Sequence, residues 1–221
     1  MKILNALALI LASALFASAA AAQDEFSRPG PYVQLAGTYA ICDYTPSNGS
    51  LPDCSDYFDS SLGFNVRAGF RFNRFFSVEG QVEWLSGFDA KNPSQFDRTD
   101  SQGTPYSFTQ VQSESVAYTI NARFYPIEGR IQPYALAGLG GENFWINTNY
   151  GQTDTMTSFV GRFGGGLDIY LTPNLALSGE FTYVVATEGK TTYYGWYNAW
   201  VNNSNIDPSY MAVSWGLTYR F

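Results

Sequence analysis

LGFNVRAGFRFNRFFSVEGQVEWL, residues 62–85, decides how this chain folds. Its first half places Leu62, Phe64, Val66, Ala68, Phe70 and Phe72 at every second position, with Gly63, Asn65, Arg67, Gly69 and Arg71 between them. Strict alternation is the signature of a strand whose two faces meet different surroundings. Asn73-Arg74 forms a tight turn. The return half sets Phe76, Val78, Val82 and Trp84 against Ser77, Glu79, Gln81 and Glu83. The unit is an antiparallel hairpin with one greasy side and one side carrying charge. Each arm is about 10 residues, the length that a tilted strand needs to cross hydrocarbon.

The same pattern extends outward from this hairpin until eight runs are counted. Before it, residues 32–41 put Val33, Leu35, Tyr39 and Ile41 opposite Gln34, Ala36, Thr38 and Ala40. After it, residues 115–125 put Val116, Tyr118, Ile120, Ala122 and Phe124 opposite Ala117, Thr119, Asn121 and Arg123. Further runs cover 133–144 and 158–170, the latter with Arg162 and Asp168 opposite Phe159, Phe163, Leu167 and Ile169. Next, Leu175, Leu177, Phe181 and Tyr183 oppose Ala176, Ser178, Glu180 and Thr182. The last run sets Met211, Val213, Trp215, Leu217, Tyr219 and Phe221 against Ala212, Ser214, Gly216, Thr218 and Arg220. Connections alternate short and long. The long ones, about 43–60, 86–113, 144–157 and 186–208, hold most of the Asn, Ser, Asp and Pro. Short turns on one rim and long polar loops on the other predict an all-β, eight-stranded, antiparallel up-and-down transmembrane β-barrel.

Volume decides which face points outward. Eight strands enclose a space just wide enough to be filled by side chains. Four to six large apolar residues per strand overfill it, whereas in lipid they have unlimited room. The opposite face is rich in Gly, Ala, Ser and Thr, which suits a narrow lumen. That face also carries Arg67, Arg71, Arg123, Arg162 and Arg220 with Glu79, Glu83, Asp168 and Glu180. Buried charges must be paired, so these nine are expected to form one internal network, with Arg67–Glu79 as its foremost salt bridge. Aromatics near run ends (Tyr32, Phe72, Phe75, Trp84, Tyr125, Tyr134, Tyr170, Trp215 and Tyr219) are expected to form headgroup girdles.

Composition agrees. Aromatics are 17% of the 221 residues and charged residues only 14%, against about 25% charged in an average soluble domain. The net charge of −7 argues against nucleic acid, since phosphate binding needs clustered Lys and Arg. Histidine is absent, which removes the commonest general base and metal ligand. No cofactor or metal site is expected. A Glu79/Glu83 carboxylate dyad is conceivable, but carboxylates facing arginines are more often structural. Residues 1–22 read as a cleaved signal peptide: Met1-Lys2, an apolar stretch, then Ala20-Ala21-Ala22, leaving 23–221 as the barrel domain. Export to an oxidising compartment makes a Cys42–Cys54 disulfide the natural reading of the only two cysteines.

Several stretches then carry a resemblance. Residues 131–140 (IQPYALAGLG), 163–168 (FGGGLD) followed by 171–174 (LTPN), and the ending WGLTYRF at 215–221 are similar to those of the OmpA-like and OmpX-like small outer-membrane barrels. The resemblance spans about Pro31 to Phe221. It implies a Gram-negative outer-membrane location, with outer-membrane lipid around a monomer. It also implies that Trp215, Leu217, Tyr219 and Phe221 are a terminal signal for the barrel-assembly machinery, reached with periplasmic chaperones. No cell-wall-binding domain follows the barrel, so anchoring to peptidoglycan is not carried over. The expected function is a non-enzymatic scaffold whose loops meet extracellular ligands, with a narrow channel for small or hydrophobic solutes as the alternative. The segment Tyr193-Tyr194-Gly195-Trp196-Tyr197, with Trp200, is unusually aromatic for a loop. It reads either as a binding surface or as a strand extension whose rings pack on neighbouring loops.

Overall fold

The computed structural model describes residues 25–42, 59–99, 103, 105–149, 151–187, 190–193 and 209–221. They form one antiparallel sheet that curls until its last strand meets its first. Strands β1 (Gly30–Cys42), β2 (Ser61–Arg71), β3 (Phe76–Asp89), β4 (Val111–Phe124), β5 (Ile131–Thr148), β6 (Gly151–Tyr170), β7 (Leu175–Ala186) and β8 (Tyr210–Arg220) pair in chain order. β8 then pairs with β1, from Tyr32 opposite Arg220 to Cys42 opposite Tyr210. The ring is closed, as the alternation predicts, and closure removes the exposed edges of an open sheet.

Local chemistry sets the short turns. Asn73 Oδ1 accepts from the backbone N–H of Phe75 at 2.8 Å and of Phe76 at 2.9 Å, so the side chain itself closes the β2–β3 turn. Thr172 Oγ1 does the same for Leu175 at 3.0 Å between β6 and β7. The long connections differ from expectation in one place. Residues 144–157 are not an open loop: β5 and β6 run on as a hairpin, with Thr148 opposite Gly151. Beyond the membrane both strand faces meet water, so both are polar and the alternation that marks a strand fades. A short strand, Lys190–Tyr193, pairs with β6 at residues 154–157 and widens this extension.

The alternation sorts cleanly by face. Leu35, Ile120, Leu139, Phe159 and Phe181 project outward with more than half their surface exposed, as part of a belt that circles the barrel. Soluble proteins rarely expose a continuous apolar surface of more than a few hundred Å2; in acyl chains such a belt costs nothing. Among the described residues no helix is long and apolar enough to cross a membrane.

Curvature is strongest on the inside, where neighbouring backbones crowd. Gly69 lies beside Tyr32, and a Cβ there would meet the Tyr32 ring at 2.5 Å and Glu79 Cβ at 2.8 Å. Gly166 is covered by the Tyr134 ring in the same way. Outward glycines such as Gly80 and Gly161 have nothing within 4 Å of an added Cβ. Gly69→Val is therefore expected to abolish the compact, heat-modifiable species on a gel, while Gly80→Val leaves it intact.

Candidate functional site

Every one of the nine charged residues singled out above faces the lumen, at 4% exposure or less. The parity of each strand puts them there: Arg67 and Arg71 on β2, Glu79 and Glu83 on β3, Arg123 on β4, Arg162 and Asp168 on β6, Glu180 on β7 and Arg220 on β8.

Two arginines anchor the middle of the bore. Arg67 donates two parallel hydrogen bonds to Glu180, at 2.6 and 2.7 Å, across the lumen, the strongest geometry available to a guanidinium. Arg123 lies 3.1 Å from Glu79, 3.4 Å from Glu180 and 3.9 Å from Asp168. Neutral groups complete the carboxylates' shells. Tyr32 OH donates to Glu79 at 2.8 Å, Tyr134 OH to Glu180 at 2.8 Å and Ser178 Oγ to Asp168 at 2.6 Å.

Toward the long-loop rim, Arg162 pairs with Glu83, which also accepts from Tyr210 OH at 2.7 Å. Above that pair Ala40, Leu85, Phe88, Val160, Val184 and Ala212 form a buried apolar cluster, beside the buried polar residues Ser113, Ser115, Glu142 and Ser158 at the same end. A bulge between Ser86 and Phe88 shifts the register and lets Phe88 join this layer. Toward the short-turn rim, the segment before β1 enters the barrel mouth. Phe26 and Ser27 are buried there, and Phe26 packs on Tyr170 at 5.9 Å between ring centroids. Arg220 holds the segment through its carbonyls, donating to Phe26 O at 2.7 Å and Glu25 O at 2.8 Å. Gln132 donates to Phe26 O at 3.0 Å and accepts from Arg71 at 2.7 Å.

Several expectations need correction. Arg67–Glu79 exists, at 3.5 Å, but it is secondary to Arg67–Glu180, because the tilt of a closed ring brings opposite walls within reach. Tyr32, Tyr125, Tyr134 and Tyr170 are not girdle residues. They face inward at 6% exposure or less, and the hydroxyls of the first three donate to carboxylates. Their strand parity, shared with Gln34, Arg123, Gln132 and Asp168, is the signal that finds them. Glu142, buried on β5, is a tenth lumen charge that sequence reasoning missed, because no face was assigned to that run. The N-terminal plug left no trace in the alternation. Glu79 and Glu83 are bound to different arginines and do not act as a dyad.

Trp215, Leu217, Tyr219 and Phe221 all project outward from β8 and its end. Among the described residues no cluster of His, Cys, Asp or Glu is arranged to hold a metal ion. The expected signal peptide at 1–22, Cys54 and with it the expected disulfide to Cys42, and the loop aromatics Tyr194, Trp196, Tyr197 and Trp200 lie outside the described residues.

The sequence profile described as the outer membrane protein beta-barrel domain matches residues 7–221. The crystal structure of Neisserial surface protein A is similar at a TM-score of 0.55 and 16% identity, over 88% of this chain and 99% of that one. The crystal structure of a major outer membrane protein from Thermus thermophilus is similar at 0.54 and 11% identity, over 86% and 99%. At such identities the likeness is one of fold. No curated protein matches the chain in sequence.

The central pair offers a direct test. Glu180→Leu leaves Arg67 only its longer contact with Glu79 and is expected to cost about 3 kcal/mol, whereas Arg67→Met combined with Glu180→Leu removes both charges and recovers most of the loss. Urea unfolding in phospholipid vesicles, followed by gel migration, measures both.

Proposed function

Because the chain belongs to the outer membrane protein beta-barrel domain family, we propose that it is a non-enzymatic integral barrel of a bacterial outer membrane, a closed scaffold that presents its long loops for surface interaction. The observation that carries this reading is the filling of the lumen at three levels. An apolar layer lies at the loop end, a belt of paired charges in the middle and the Phe26–Ser27 plug at the short-turn end. A conducting bore needs a continuous water path, and side chains at these three levels stand across it. The narrow-channel reading is thereby disfavoured.

Short turns face the periplasm in such barrels and long loops face outside. In that orientation the β5–β6 hairpin and its added strand stand above the membrane on a rigid frame, where binding surfaces usually sit. The outward residues Trp215, Leu217, Tyr219 and Phe221 serve as the terminal signal that the barrel-assembly machinery reads. The folded protein is a monomer in lipid, its extracellular ligand a matter for loop-by-loop binding screens. Purified protein inserted in planar bilayers is expected to give no reproducible conductance, and deletion of residues 43–58 is expected to leave the barrel folded. Steady single-channel steps from the intact chain would overturn the closed-scaffold reading.

A further inference from the structure

The described strands form a ring of eight ladders, and in seven of them the chain itself joins the two strands as a hairpin. The eighth, β1 with β8, has no connecting turn. Closing a ladder between strands joined by a short turn costs little chain entropy, whereas closing one between the two ends of a barrel costs more. Such a seam opens before the rest unless something ties it.

The short-turn rim supplies the tie. Three positions on it hold the turns at 72–75, 125–130 and 171–174. The remaining one, between the end of β8 and the start of β1, is spanned by residues 25–29. Arg220, at the end of β8, reaches this segment with both terminal nitrogens. Its Nη1 donates to Phe26 O at 2.7 Å and Arg28 O at 3.4 Å, and its Nη2 to Glu25 O at 2.8 Å. Nη2 also donates to Pro173 O at 2.7 Å, so the same guanidinium holds the neighbouring β6–β7 turn. Backbone bonds continue the tie: Phe221 N–H donates to Pro31 O at 3.1 Å and Arg220 N–H to Asn174 O at 2.7 Å. The segment acts as a turn made without a covalent link to β8.

One ring anchors it. Phe26 enters the mouth and packs with Tyr170 and Ala176, and the Arg130 guanidinium carbon lies over it, 5.4 Å from the ring centroid. Arg220 in turn lies over the Tyr170 ring at 5.0 Å, so the aromatic contact and the hydrogen bonds brace each other. Ser27 Oγ accepts from Gln132 Nε2 at 3.1 Å. Residues 25–29 belong to no strand. They can leave the mouth without breaking a ladder.

We propose that residues 25–29 are a latch on the seam. Docked, they hold β8 against β1; released, they leave that one ladder free to part and open the wall to lipid, while the seven hairpins stay closed. The latch rests on the closed ring and not on what the loops bind or whether the bore conducts, so it and the scaffold reading fail independently. Hydrogen–deuterium exchange of the backbone amides, read strand by strand on purified protein in detergent micelles, tests it. Phe26→Ala loosens the latch without altering a strand. Amides that bond across the β1–β8 seam are then expected to exchange at least about tenfold faster, a modest share of what a buried phenylalanine contributes. Those of the β3–β4 ladder keep the rate of the intact chain. Asn73→Ala, which removes the side chain closing a covalent turn on the same rim, is expected to leave the seam protected. Heat-modifiable migration checks the fold of each variant, with Phe26→Leu in reserve if the alanine variant does not fold. Seam amides as slow in Phe26→Ala as in the intact chain overturn the latch. Equal acceleration of every ladder does so too, since Phe26 would then serve global stability alone. A seam equally fast in Asn73→Ala also overturns it, since any damage to the rim would then open the ring.

Discussion

A ring of eight strands encloses so little space that whatever faces inward must pack, and whatever is charged there must find a partner. The bidentate Arg67–Glu180 contact is where both demands meet. It spans the lumen from β2 to β7, so it ties together walls that share no backbone hydrogen bonds. Arg123 extends it to Glu79 and Asp168. Replacing such a network by apolar residues need not weaken a protein, but breaking one member leaves a bare charge in a dry interior.

Charge is distributed along the barrel axis in a way that follows from this packing. Five arginines and five carboxylates share the bore once Glu142 is included, so the interior is balanced. The net charge of −7 arises elsewhere, in long connections rich in aspartate such as Asp43, Asp53, Asp56, Asp97 and Asp100. The turns at the other end carry arginines and glutamates in near balance, Arg28, Arg74 and Arg130 against Glu25 and Glu128. A balanced interior beneath an acidic loop side suits a protein that works through its loops rather than through its middle.

Much of this was legible beforehand because period-two alternation reports two environments directly. The eight strands, the short turns, the outward belt and the nine lumen charges all follow from parity and volume. The inward tyrosines were legible too, since Tyr32 shares the parity of Gln34 and Tyr134 that of Gln132. They were misread because an aromatic at a strand end has two plausible homes. The hairpin at 144–157 escaped because alternation vanishes where both faces meet water, and Glu142 escaped because no face was assigned to the run 133–144, whose glycines and alanines blur the alternation.

The sequence by itself determined the number of strands and the face that meets lipid, since alternation counts the strands and the volume of the apolar residues is too great for the bore. Only the tertiary structure decided which arginine meets which carboxylate, and that Phe26 and Ser27 stop one mouth. Those features depend on strand tilt and on contacts between strands distant in sequence. No spacing along a single strand encodes such geometry.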